Sequence, residues 1–185
     1  MRNVFSRILM AACLLPAWAI QVATASAGDV VERLPISAGQ EWKISQSGVT
    51  LESSVNGDEL TLQFEPAERP ATNYIAASTS WEWAVPEKAK IHVDVRGETR
   101  KGCYFALRLT TSDGMNYEAV FGDRQTGFLL TPEGSAAEAR LSSFKASDDS
   151  LLEPGAQVMK VTLILAPDAS NTVSINGLSV QTDEH

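Results

Sequence analysis

The sequence predicts an all-β fold, an antiparallel β-sandwich of about ten strands. Three observations predict it. Apolar and polar residues alternate at period two in one segment after another, turn residues recur about every 8 to 12 positions, and almost no stretch after the first 27 residues carries a helical period. The clearest patterns and most of the core aromatic residues fall between Asn73 and Asp123.

The chain opens on a leader. Arg2 and Arg7 precede an apolar run over residues 8–22, and Ala25-Ser26-Ala27 supplies the small residues that a signal peptidase cuts. A spanning helix needs about 20 uninterrupted apolar residues, whereas Pro16 interrupts this run. Residues 1–27 therefore read as a cleaved signal peptide that carries Cys13 away with it. Residues 28–185 read as one β-sandwich domain, exported to the periplasm or the extracellular space, with no membrane insertion after cleavage.

The strands follow in order. Residues 28–40 form a lead-in across a sheet edge, because Pro35 and Gly39 prevent a long regular element. Residues 41–44 begin the first strand. Residues 49–55 and 60–64 form a hairpin around Asn56-Gly57, a pair that favours tight turns. Residues 73–85 make a long strand that places Trp81 and Trp83 on the face of Ile75, Ala77 and Val85, hence in the core. Residues 91–96 and 103–109 alternate in the same way, and Asp113-Gly114 turns the chain into residues 117–121, so these three strands form a meander. Residues 127–131 make a further strand, residues 136–139 one helical turn and residues 141–145 a short edge strand. Residues 158–165 are the most apolar strand and belong at the centre of a sheet. Residues 172–180 close the fold, with a bulge at Asn176-Gly177.

Charge narrows the partner. Without the leader the 15 basic side chains fall by two to 13 against 23 acidic ones, a balance of −10. Such a surface repels nucleic acid and anionic membranes, and a neutral partner suits it better. Cys103 remains as the one cysteine after cleavage, so no internal disulfide forms, and its alternation with Phe105 and Leu107 makes it a buried apolar thiol.

Taken together, Trp42, the segments AASTSWEWAVP, IHVDVRG and YFALRLTTSDGMNYEAVF, and the closing hairpin VTLILAPDASNTVSINGLSV resemble non-catalytic carbohydrate-binding modules. The modules concerned have a jelly-roll or galactose-binding-like fold and accompany secreted glycoside hydrolases. The resemblance runs from Trp42 to Val180 and implies a sugar-binding or accessory role. It also implies a structural calcium, for which Asp148, Asp149, Asp168 and Asn171 offer oxygens; no loop has spaced ligands of the EF-hand kind, so no metal site is assigned and no cofactor is expected.

One sheet face collects the candidate ligand-binding residues Tyr74, Asp94, Tyr104, Arg108 and Glu118. Pairing Thr111 with Tyr117 sets Thr110 opposite Glu118 and Arg108 diagonal to it, while the 91–96 strand, as their neighbour, adds His92, Asp94 and Arg96. An aromatic ring covers the apolar face of a pyranose, and Arg, Asp and Glu fork hydrogen bonds to its hydroxyls. The competing reading is a solvated face with exposed ion pairs. A protein-interaction role in the envelope or matrix is the alternative function. A glycan-active hydrolase or lyase ranks below it, since Asp94 with Glu118 is the one carboxylate pair that can be placed together.

Overall fold

The computed structural model describes residues 29–37, 39–67, 73–98, 102–122, 126–166 and 171–182. The expected leader, Asp123, Asp168 and His185 lie outside them. Eleven strands among these residues build two antiparallel sheets facing each other, a β-sandwich. The first sheet runs in the order β3 (Val49–Asn56), β4 (Glu59–Pro66), β11 (Asn171–Thr182), β6 (Ala89–Arg96) and β9 (Ser135–Arg140), with β1 (Val30–Leu34) paired to the end of β11. The second runs β2 (Lys43–Ser47), β5 (Tyr74–Ala84), β10 (Gln157–Ala166), β7 (Tyr104–Thr111) and β8 (Asn116–Phe121).

Period two explains the layering. Leu60, Leu62 and Phe64 of β4, Ile91, Val93 and Val95 of β6, and Val173 and Ile175 of β11 turn inward from the first sheet, and all are buried. Ile75, Trp81, Phe105, Leu107, Leu109, Val161, Leu163 and Leu165 meet them from the second. Strand β10 lies at the centre of its sheet, between β5 and β7, as its apolar sequence requires. Cys103 is buried, and its thiol donates to the Phe128 carbonyl at 3.5 Å.

Several elements differ from the sequence reading. Alternation tells which face of a strand is buried but not which strand lies beside it. The chain crosses between sheets after Arg96, so β6 pairs with β11 and β9 while β7 pairs with β10 and β8; the expected three-strand meander is a β7–β8 hairpin alone. The expected closing hairpin likewise splits, because β10 and β11 belong to different sheets. Part of the lead-in is strand β1. Residues 136–139 are strand rather than helix: four residues cannot hold a helical turn unaided, while as β9 they bond to β6 and bury Ala137. Residues 127–131 form no strand, although Phe128 bridges to Cys103, and Leu141–Ser143 form a 3-10 turn after which Lys145 bridges to Glu118.

The β7–β8 register also moves. Thr111 closes on Met115, not on Tyr117, through a backbone bond of 3.0 Å. Gly114 supplies the positive φ of 83° that this tight turn needs, and Asp113 accepts from Thr111 Oγ1 at 2.6 Å. Arg108 therefore stands directly opposite Glu118 instead of diagonal to it. A slip of two residues leaves every side chain on its expected face.

Candidate functional site

The outer face of the second sheet gathers four of the five expected site residues. Leu165 pairs with both Ile75 and Phe105, and one step on Ala166 pairs with Tyr104. Tyr74 and Tyr104 thus flank Ala166 in one row, two strand spacings or about 10 Å apart. Both rings are exposed, at 39% and 42%. Below them runs a row of Ala76, Ile164, Ala106 and Val120, then one of Ser78, Thr162, Arg108 and Glu118 that Lys145 extends. Ala76 and Ala106 leave this part of the face shallow, and Tyr104 reaches along it to the Glu118 carboxylate.

Glu118 is the polar anchor of this face. Its Oε2 accepts from Arg108 Nε at 3.0 Å and Nη2 at 2.8 Å, and its Oε1 accepts from the Tyr104 hydroxyl at 2.6 Å. Partial burial and the bond to Glu118 push the Tyr104 phenol up to about 12, so it remains a donor throughout the physiological range. Two donors closing on the one oxygen hold the guanidinium in place, and Nη1 takes no part in this grip. Arg108→Ala should cost about 1 kcal/mol, the upper end for a partly exposed pair, and Arg108→Lys should recover only part of that because an ammonium cannot fork. Urea unfolding of both variants measures it.

Asp94 is not on this face. It lies on β6 in the other sheet, because the chain changes sheets before β7. There Asp94 Oδ1 bonds His92 Nε2 at 2.9 Å while Glu138 Oε1 bonds His92 Nδ1 at 2.9 Å, and Lys90 adds 2.9 Å to Glu138 Oε2. The Asp94–Glu118 pair required by the hydrolase reading is therefore divided between the two sheets. Partial burial raises the Glu138 carboxyl, but bonds from Lys90 and His92 outweigh it and hold the group below its ordinary 4.5. A depressed folded value adds stability that is present above the unfolded value and fades as acid reaches the folded one. Glu138→Gln should accordingly lower the melting temperature at pH 7, and the gap to wild type should close as pH falls below about 4.5. Melting curves across that range test it.

Beside the tyrosine row, where β8 of one sheet approaches β9 of the other, a groove of ≈ 1000 Å³ opens. Tyr104, Glu118, Val120 and Lys145 form one wall, Glu138 and Arg140 the other. Sequence reasoning missed Glu138 and Lys145 as neighbours of the face. The alternation Phe144, Lys145, Ala146, buried on either side of an exposed lysine, was the available signal. Asp148 is tied to Ser150 by bonds of 2.6 and 3.0 Å, and among the described residues no three acids, histidines or cysteines gather for a metal.

No family model matches the chain. No curated protein matches it either. Solved structures do. The family 11 carbohydrate-binding module of the cellulosomal cellulase Lic26A-Cel5E of Clostridium thermocellum aligns over 85% of this chain and 99% of its own, with 13% identity and a TM-score of 0.51. A family 11 module from the same organism, in complex with a β-1,3-1,4-mixed-linked tetrasaccharide, aligns over 87% and 100%, with 12% identity and a TM-score of 0.56. The chain has the β-sandwich fold of carbohydrate-binding modules.

Proposed function

We propose that the domain is an exported, non-catalytic carbohydrate-binding domain that holds a polysaccharide or its oligosaccharides on the outer face of the second sheet. The carrying observation is the row in which Tyr74 and Tyr104 flank Ala166 above the Arg108–Glu118 pair. Each tyrosine stacks on one sugar ring, Ala166 leaves room for the linkage between them, Arg108 donates to hydroxyl pairs, and Glu118 orients it. Asp94 takes no part. Likeness in fold to a module solved with a tetrasaccharide supports the ligand class.

Each net hydrogen bond contributes only about 0.5–1.5 kcal/mol, so short oligosaccharides bind weakly and longer chains gain through repeated contacts. The test is a glycan array and pull-down on insoluble polysaccharides with the protein lacking residues 1–27. Retention on at least one polymer, strengthening with chain length and without product release, is the expected result. Absence of retention on every glycan refutes the reading and favours a protein partner.

A further inference from the structure

The charge in the groove between β8 and β9 differs from that of the whole chain. Two carboxylates line it, and each already has a cationic partner outside its walls: Glu118 has Arg108, and Glu138 has Lys90. Lys145, next to Glu118 in the same row, is exposed and makes no side-chain hydrogen bond or ion pair within the described residues. Arg140 stands in the facing wall. The neighbouring acid Asp148 is held by Ser150 in its turn and does not line the groove.

The balance of −10 without the leader, 13 basic against 23 acidic side chains, argues against a polyanion only where the whole charge is felt. Physiological salt screens charges beyond about 8 Å, and the two sheets alone stack about 10 Å apart. Within that range the first sheet brings Glu138, which Lys90 pairs, and Asp94, which His92 links to it; the more distant acids are weakly felt, and the local groups decide. The geometry points to an acidic-sugar subsite: the polysaccharide carried by the tyrosine row bears carboxylate or sulfate groups, one of which enters this groove and pairs with Lys145. This inference rests on the sheet-face reading, and it reverses the expectation of a neutral ligand drawn from net charge.

The experiment is an array on which uronic-acid and sulfated polysaccharides stand beside their carboxyl-reduced or desulfated forms, probed with wild type, Lys145→Gln, Lys145→Arg and Tyr104→Ala. Wild type should prefer the acidic member of one pair by about tenfold, the yield of one charge-assisted hydrogen bond. Lys145→Gln should erase that preference yet keep binding to the neutral member, Lys145→Arg should retain it, and Tyr104→Ala should lose both. The polymer pair that responds separates carboxylate from sulfate. Equal binding of both members by wild type, or an undiminished preference in Lys145→Gln, overturns the subsite and leaves the sheet-face reading intact. Equal retention of duplex DNA overturns it too, as mere ion exchange. Failure of wild type on every polymer overturns the sheet-face reading itself.

Discussion

Trp83→Ala should destabilise the domain by about 3–5 kcal/mol, and Trp81→Ala by a similar amount, the cost of emptying a core site built for a large ring. The two indoles are 4% and 5% exposed, and their centroids lie 5.2 Å apart at an interplanar angle of 47°. Both point inward from β5, where Trp83 sits opposite Val158 of the central strand β10. Domains of this size are stable by only about 5–15 kcal/mol, so either loss removes a large fraction. Trp83→Phe separates packing from hydrogen bonding. The Trp83 Nε1 has no partner among the described residues, so phenylalanine forfeits volume but no bond, and its cost should be well under half that of alanine. Urea unfolding followed by circular dichroism measures all three, and wild-type midpoints in both alanine variants would place the rings outside the core. Sugar binding by Trp83→Phe should match wild type, since neither indole reaches the surface.

The burial of these tryptophans was legible in the sequence because it follows from parity, and parity is local. Tyr74, Tyr104, Arg108 and Glu118 were placed on an outward face for the same reason, and they remain on one face even though the β7–β8 register differs by two residues. Asp94 has the right parity and the wrong sheet. Nothing in a period of two distinguishes a strand that continues a meander from one that crosses the sandwich, because the crossing is decided by which apolar faces meet over the whole core. Strand β9 was illegible for a related reason. Ser135–Arg140 is poor in β-branched and aromatic residues, and β6 makes it a strand by accepting its backbone bonds and offering Lys90 and His92 to Glu138. The groove escaped notice because its walls come from β7, β8 and Lys145 on one side and β9 on the other, which form a groove only when β9 is a strand.

Tyr104→Ala should reduce polysaccharide affinity by about thirtyfold or more, the roughly 2 kcal/mol typical of a contact that dominates an interface. The ring is 42% exposed, so its removal takes little from the core, and the unfolding midpoint should move far less than in the tryptophan variants. Tyr104 has two parts with separable roles. Its hydroxyl donates to Glu118 at 2.6 Å and steadies the carboxylate that grips Arg108, while its ring faces the row shared with Tyr74. Tyr104→Phe keeps the ring and deletes the donor. It should lose only a few-fold in affinity, because Arg108 still holds Glu118 Oε2 by two bonds. Tyr74→Ala should behave like Tyr104→Ala toward long chains and more mildly toward a disaccharide, which a single ring can hold. Calorimetry with oligosaccharides of increasing length on all four proteins resolves these roles. If Tyr104→Ala folds and binds as wild type does, stacking on this ring is not what holds the sugar, and the ligand face must be sought elsewhere on the sandwich.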